Sequence, residues 1–143
     1  MATQRWFNCS AEQVWDVLSD GWLYPLWVVG ASRIRDVDDG WPAEGRKLHH
    51  SFGVWPLVID DTTEVVEIQP DQRIVLEARG WPVGTARVEI TVQPDGHGSL
   101  VSIAEDVSSG PGQLVPQPIR EAAMDVRNKE ALRRLAYLAE GRK

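Results

Sequence analysis

Apolar and polar residues alternate through the middle of the chain. In residues 85–92, Ala86, Val88 and Ile90 fall on one side of an extended chain, and threonines and charged residues fall on the other. This alternation is typical of a strand with one buried and one solvated face. Turn-forming pairs such as Asp95-Gly96 separate the alternating segments. The pattern predicts an antiparallel meander with strands at 3–8, 32–38, 45–52, 56–68, 73–79, 84–93 and 99–107.

Two short helices are predicted after the first strand. Ser10 and Gln13 match a capping box, in which each side chain satisfies the other's backbone N–H. Apolar residues then recur at helical spacing as far as Leu18. Residues 22–28 are also apolar but contain Pro25, so they predict only a short helical turn.

The C-terminal segment predicts one long helix. Pro116 and Pro118 suit its first turn, no breaker follows before Glu140, and Gly141 suits the C-cap. The order of elements therefore predicts a single α+β domain over residues 1–143. Its curved antiparallel sheet of six to seven strands would wrap around the long helix. Because one helix is only about 10 Å wide, large side chains or a ligand must fill the remaining space beneath the sheet.

Charge and composition argue against several classes of function. The net charge is −6 and there is no stripe of Lys and Arg, so nucleic acid is not an expected partner. No apolar run approaches the roughly 20 residues that cross a bilayer. The first residues lack the order of a secretory signal, which predicts a cytoplasmic protein. Seven tryptophans are present, and they either build the core or line a cavity.

Five segments carry a resemblance to a known superfamily: SAEQVWDVL (10–18), WVVGA (27–31), GRKLHHS (45–51), EIQP (67–70) and NKEALRRL (128–135). They resemble the START-like, or SRPBCC, superfamily, and more narrowly its polyketide cyclase/dehydrase and lipid-transport group. The resemblance covers nearly the whole chain and implies a helix-grip fold. Members include lipid carriers, hormone receptors and aromatase/cyclases, so the resemblance defines the fold more closely than the function.

The pair His49-His50 is the first candidate for chemistry. Neighbours on a strand point to opposite faces, so the two rings cannot easily share a metal ion. His50 shares a face with Leu48 and Phe52, which predicts that it points inward and that His49 is solvated. An inward histidine either hydrogen-bonds a ligand or moves a proton, or it is a satisfied core residue.

Carboxylates in the strands are the second candidates. One of Asp60 and Asp61 must face inward if their strand is regular, and Glu105 shares a face with Val101 and Ile103. A buried carboxylate without a partner is costly, so each would be paired, placed at a cavity or relieved by a bulge. Asp61 and Glu105 beside His50 would suit acid/base chemistry, whereas positions at strand ends would leave them at the rim.

The apolar face of the long helix changes side near Val126. The sheet-facing stripe comprises Met124, Asn128, Ala131, Leu135 and Leu138. A second set, here called the outer patch, comprises Ile119, Ala122, Ala123 and Val126 on the opposite side. A local bend would also produce such a change. An exposed apolar patch predicts a contact surface, either in a weak homodimer or beneath the loop at 108–113.

The favoured hypothesis is a protein that binds a small hydrophobic or aromatic molecule, such as a lipid or polyketide, in a cavity of several hundred Å³. The predicted lining is Trp27, Phe52, Trp55, Trp81, Met124 and Asn128, with His50, Asp61 and Glu105 as polar groups. One alternative is a polyketide cyclase or dehydratase that uses His50 and a carboxylate. The other is a protein-interaction module that uses the outer patch. Neither a metal nor a cofactor is expected, since no Cys/His cluster or nucleotide loop occurs.

Overall fold

The computed structural model describes residues 2–28, 31–52, 59–80, 84–110 and 114–141. In chain order the elements are β1 (Ala2–Phe7), α1 (Ala11–Leu18), a 3-10 turn (Gly21–Leu23), α2 (Tyr24–Trp27), β2 (Ala31–Val37), β3 (Lys47–Phe52), β4 (Ile59–Gln69), β5 (Arg73–Gly80), β6 (Gly84–Asp95), β7 (Gly98–Ser109) and α3 (Gln117–Glu140).

Within the described segments, the strands form one seven-stranded antiparallel sheet in the order β1-β7-β6-β5-β4-β3-β2. From β2 to β7 each strand pairs with the next along the chain, and β1 joins the sheet by pairing with β7. The predicted meander and the α+β helix-grip class are confirmed. The strand predicted at 56–68 is observed from Ile59, and residues 53–58 lie outside the described part of the chain.

The helices after β1 form for the reasons that the sequence indicated. The Oγ atom of Ser10 accepts a hydrogen bond from the backbone N–H of Gln13 at 3.2 Å, and Gln13 Oε1 accepts one from the backbone N–H of Ser10 at 3.0 Å. This capping box starts α1, whose Val14 and Leu18 are buried. In α2, Pro25 lies in the first turn, where a missing N–H costs nothing.

Helix α3 packs on the concave face of the sheet along its C-terminal half. Asn128, Ala131 and Leu135 of the predicted stripe are buried, and so are Leu132 and Ala136 beside them. The sheet contributes to the same core through Leu48, Val65, Ile74, Leu76, Ile90, Val92, Val101 and Ile103. None of the helices in the described segments has the length and apolar character needed to cross a membrane.

Strand β1 is tied to both halves of α3. Thr3 Oγ1 donates a hydrogen bond to Asp125 Oδ1 at 2.7 Å, and the backbone N–H of Asn8 donates one to Glu140 Oε2 at 2.9 Å. The helix is therefore fixed over β1 and β7, and it also packs against α1 and the short helix α2. The space enclosed by α2, α3 and the concave face of the sheet is where the polar side chains of interest converge.

Candidate functional site

A chain of three polar side chains runs through the core beneath α2. His50 of β3 is fully buried, and its Nε2 lies 2.7 Å from Thr63 Oγ1 on β4. The same hydroxyl shares a hydrogen bond of 3.2 Å with the Tyr24 phenol. The rings of Tyr24 and His50 also stack, with centroids 5.5 Å apart and planes at 18°. The inward orientation predicted for His50 is confirmed.

Burial gives the Tyr24 phenol its protonated state. Desolvation raises its pKa above the ordinary value, and the nearby Glu105 carboxylate adds to the increase. The hydrogen bond with Thr63 and the charge of Arg127 act in the opposite direction but do not cancel the effect of burial. At neutral pH Tyr24 is therefore a phenol that can donate as well as accept a hydrogen bond.

A second polar group joins β7 to α3. The Glu105 side chain is only 4% exposed, and its Oε2 accepts a hydrogen bond from Arg127 Nη1 at 3.0 Å. Asn128, the next residue on the helix, is also buried. The sequence predicts that an inward Glu105 is paired, placed at a cavity or relieved by a bulge, and in the structure it is paired with Arg127.

The two polar groups border one cavity between sheet and helices. Its volume is about 40 Å³. Its lining is Tyr24, Trp27, Val28, Thr63, Leu76, Ala78, Val88, Ile103, Glu105, Arg127, Asn128 and Ala131. The walls are thus mostly apolar, with a phenol, a hydroxyl, an amide and an ion pair among them. A volume of this size holds one or two water molecules and not a lipid, so this cavity does not confirm the predicted several hundred Å³.

A second void lies on the far side of α2 and measures about 10 Å³. Tyr24, Trp27 and Leu76 border both voids, so these three side chains form the wall between them. Two of them belong to α2, a helix of only four residues.

The predicted site residues fall in different places. Trp27, Glu105 and Asn128 line the cavity. His50 lies one hydrogen bond behind the wall, because Thr63 stands between its ring and the cavity. Met124 lies one turn before Asn128 on α3 and is partly buried.

The side chains of the remaining predicted residues lie outside the described structure. Phe52 is the last residue of β3, and in the strand register Asp61 of β4 pairs with His50. Only their backbone positions belong to the described structure. Trp55 and Trp81 lie outside the described residues, so their roles stay predictions.

His49 is placed differently from the expectation of a solvated side chain. Its Nε2 lies 2.9 Å from Asp38 Oδ1, and both side chains are about one-third exposed, at 30% and 32%. This hydrogen bond is the main reason that the pKa of Asp38 lies below its ordinary value. His49 and His50 point to opposite faces of β3, as strand geometry requires.

Sequence reasoning missed Tyr24, Thr63 and Arg127. A weak signal existed for each. Thr63 precedes Val65 by two positions and shares its buried face, and Arg127 lies beside Asn128 on the helix. Tyr24 belongs to a segment whose proline allowed only a short helix to be predicted.

The outer patch of α3 faces away from the sheet. Ile119 and Val126 are 60% and 71% exposed, and Ala122 and Ala123 are exposed between them. Leu114, just before the helix, is also exposed. The change of apolar face near Val126 is thus present in the structure. Of the loop proposed to cover the patch, residues 111–113 lie outside the described residues.

The arrangement of sheet and helices is a helix grip, and comparison with known proteins adds the family. The profile of the polyketide cyclase/dehydrase and lipid transport family matches residues 1–140. The chain belongs to this family, as the resemblance in the sequence implied. No curated protein sequence matches the chain significantly.

Solved structures share the fold at low sequence identity. Protein NE0264 from Nitrosomonas europaea is 15% identical with a TM-score of 0.73, over 100% of this chain and 95% of that chain. The di-domain ARO/CYC StfQ from the steffimycin biosynthetic pathway is 12% identical with a TM-score of 0.76, over 99% of this chain and 50% of that chain. Ara h 8.0201 is 8% identical with a TM-score of 0.74, over 99% and 97%. At these identities the likeness concerns the fold alone.

Proposed function

We propose that the protein binds a small apolar or aromatic molecule between the sheet and α3. The observation that carries the proposal is the cavity itself: a phenol, a hydroxyl, an amide and an ion pair converge on one buried space with apolar walls. Binding sites for small molecules typically combine such walls with a few placed polar groups. Burying these groups costs free energy that a purely structural core would avoid. The family to which the chain belongs supports the same kind of ligand.

Binding requires the cavity to enlarge. At about 40 Å³ it is too small for an aromatic ring system. The single-turn helix α2 is the wall best suited to move, because short elements with few hydrogen bonds open at low cost. Displacement of Trp27 would join the cavity to the neighbouring void. The ligand would then lie between the Thr63–Tyr24 pair and the Glu105–Arg127 pair.

Fluorescence titration with N-phenyl-1-naphthylamine, a neutral aromatic probe, tests the proposal. Saturable binding to the wild-type protein is expected. Ala78 lines the cavity, so Ala78→Leu should fill it and weaken binding by roughly tenfold. Ala104→Leu is the matched control. Ala104 lies between Ile103 and Glu105 in β7, so its side chain points to the opposite face of the sheet. The substitution therefore adds the same leucine side chain away from the cavity. No binding, or equal loss in both variants, would contradict the proposal.

An enzymatic role is the second candidate, and the buried series of hydrogen-bonded side chains favours it. His50, Thr63 and Tyr24 connect an imidazole to a phenol on the cavity wall through two hydrogen bonds. Such a chain can deliver a proton to a bound carbonyl and take it back. In a polyketide cyclase or dehydratase, Tyr24 would be the group that touches the substrate and His50 would act through Thr63. Tyr24→Phe should then abolish turnover of a linear polyketide substrate and leave probe binding intact.

The outer patch supports a proposal about assembly. Its four residues are exposed together, and small side chains at Ala122 and Ala123 allow another backbone to approach closely. An exposed apolar patch in a globular protein commonly marks a contact surface. We propose a weak homodimer in which two copies of this patch meet across a two-fold axis. The protein-interaction alternative would use the same surface for a different partner.

A further inference from the structure

Two arginines lie on the sheet-facing side of α3 toward its N-terminus. An α-helix has about 3.6 residues per turn, so residues seven apart lie nearly in line. Arg120 is seven residues before Arg127, which lines the cavity, and Arg127 is four before the buried Ala131. The two arginines therefore continue the buried stripe. The apolar contacts of the C-terminal half give way in the N-terminal half to these two guanidinium groups, with the partly buried Met124 and Asp125 beside them.

Arg120 is mostly withdrawn from solvent. Its side chain is 15% exposed, and its Nη1 lies 3.6 Å from Oδ1 of Asp106, a carboxylate that is itself 60% exposed. The Nε–H group is buried and has no hydrogen-bond acceptor among the described residues. A buried charged donor without an acceptor costs more than a neutral one. The Arg120 guanidinium is thus largely desolvated, while its pairing with the described residues is incomplete.

Arg120 and Arg127 contact consecutive residues of β7. The described β1–β7 register reaches Ala2↔Ala104, and the contacts with α3 fall on the next two residues of β7. Glu105 lines the cavity, and Asp106 is the next residue along the strand. Arg127 bonds to the first carboxylate and Arg120 contacts the second. Arg120 is not among the residues that line the cavity, but it lies on the same face of α3 as Arg127, two helical turns closer to the N-terminus.

We propose that Arg120 recognises an oxyanion on the ligand, so that the ligand class is an apolar or aromatic body carrying a carboxylate or a similar anionic group. The guanidinium offers several N–H donors in a plane that suits two oxygen atoms. Arg127 already pairs with the buried Glu105. Arg120 has a long contact to an exposed acid, and its Nε–H has no acceptor in the described part of the chain. The apolar body would occupy the cavity and the anion would lie at its end. This inference rests on the proposed binding function.

Two probes that share one aromatic body test it. The sulfonate 8-anilinonaphthalene-1-sulfonate carries an oxyanion, and N-phenyl-1-naphthylamine is the same body without it. The wild-type protein should bind the sulfonate about tenfold more tightly than the neutral probe, as a charge-assisted hydrogen bond allows. Arg120→Gln should remove that preference by weakening only the sulfonate. Arg120→Lys, which keeps the charge without the planar fork, should retain part of it.

Arg133→Gln is the matched control, because Arg133 lies on the same helix, is mostly exposed and pairs with Glu130. It should leave the preference unchanged. Circular dichroism establishes that each variant is folded. A wild-type protein that binds the neutral probe but shows no preference would overturn this inference and leave the proposed function standing. Equal weakening of both probes by Arg120→Gln would also overturn it. If neither probe binds the wild-type protein, the proposed function fails and this inference fails with it.

Discussion

Arg127 Nη1 on α3 lies 3.0 Å from Glu105 Oε2 on β7, so a helix cation neutralises a carboxylate that the sheet buries. Removing the cation would leave Glu105 charged and unpaired in an apolar cavity. We expect Arg127→Gln to lower the free energy of unfolding by about 2 kcal/mol, less than for a fully buried pair because Arg127 is 37% exposed. Urea denaturation at neutral pH measures the change.

The double variant Arg127→Gln with Glu105→Gln is the control for that interpretation. It removes both charges, so part of the lost stability should return. A double variant less stable than Arg127→Gln alone would mean that Glu105 contributes through contacts other than its ion pair.

His50 and His49 make a matched pair of substitutions on one strand. His50→Ala removes a fully buried ring that bonds to Thr63 and stacks on Tyr24, so we expect a loss of about 2–3 kcal/mol of stability. His49→Ala removes only a partly exposed hydrogen bond to Asp38, so its effect should be much smaller. Thermal unfolding measures both. Unchanged melting with weakened probe binding in His50→Ala would instead make His50 a ligand-site residue.

Glu130 should contribute a pH-dependent part of the stability. Hydrogen bonds from Arg133, and then from Arg134, lower the pKa of Glu130 from 4.5 to about 2. A lowered pKa in the folded state means that the contribution is present above pH 4.5 and disappears as the pH falls toward about 2. The melting temperatures of wild type and Glu130→Gln should therefore differ at pH 7 and converge across that interval.

Glu121→Gln serves as the control for the Glu130 measurement. Glu121 lies on the same helix but accepts its hydrogen bond from the neutral side chain of Gln117. Its substitution should show no comparable convergence. A Glu130→Gln variant that stays less stable by the same amount down to pH 2 would show that charge is not the cause.

Val126→Glu tests the proposed homodimer. Val126 is 71% exposed in the outer patch, so a carboxylate there should be harmless to a monomer and unfavourable in an apolar interface. Sedimentation velocity over a range of concentrations should show self-association in the wild type and its loss in the variant. A wild-type protein that is monomeric, together with a variant of reduced stability, would instead favour a loop of the same chain as the cover.

The two glycines at the turn between β6 and β7 have opposite requirements. A Cβ atom at Gly98 would collide with the backbone oxygen of Phe7 and the indole of Trp6, so Gly98→Ala should cost roughly 3 kcal/mol. Gly96 has a φ of 61°, in the left-handed region, and a Cβ atom added there would meet nothing within 4 Å. Glycine is therefore favoured at this position by the backbone conformation and not by lack of room for a side chain. Gly96→Asn should be nearly neutral, because Asn tolerates that conformation. Chemical denaturation of the two variants compares them directly.

Most of the fold could be predicted because its signals, the alternation of apolar residues and the helix caps, are local in the sequence. The alternation around Val88 and Ile90 leaves one choice of buried face, since a shift of one residue would expose the whole apolar set. The capping box at Ser10 and the glycine at 141 mark helix ends through short-range hydrogen bonds. Each of these signals needs only a few neighbouring residues to act.

The site was less predictable because it depends on contacts between distant elements. Glu105 could be recognised as an inward carboxylate, but its pairing with Arg127 depends on how α3 packs over β7. The size of the cavity depends on how Tyr24 and Trp27 pack against Leu76, which no periodic pattern encodes. His50 could be assigned to the inner face, whereas its place behind Thr63 required the register between β3 and β4.

The position of β1 in the sheet has a consequence for the order of folding. Strands β2 to β7 pair with their sequence neighbours, so each hairpin closes a short loop at small entropic cost. In contrast, Ala2 must meet Ala104 and Phe7 must meet Ser99. Strand β1 precedes the other strands in the chain, but it can pair only once β7 has formed. The transition state for folding is therefore expected to contain the central hairpins. The contacts of β1 with α3 are expected to form after it and to affect mainly the unfolding rate.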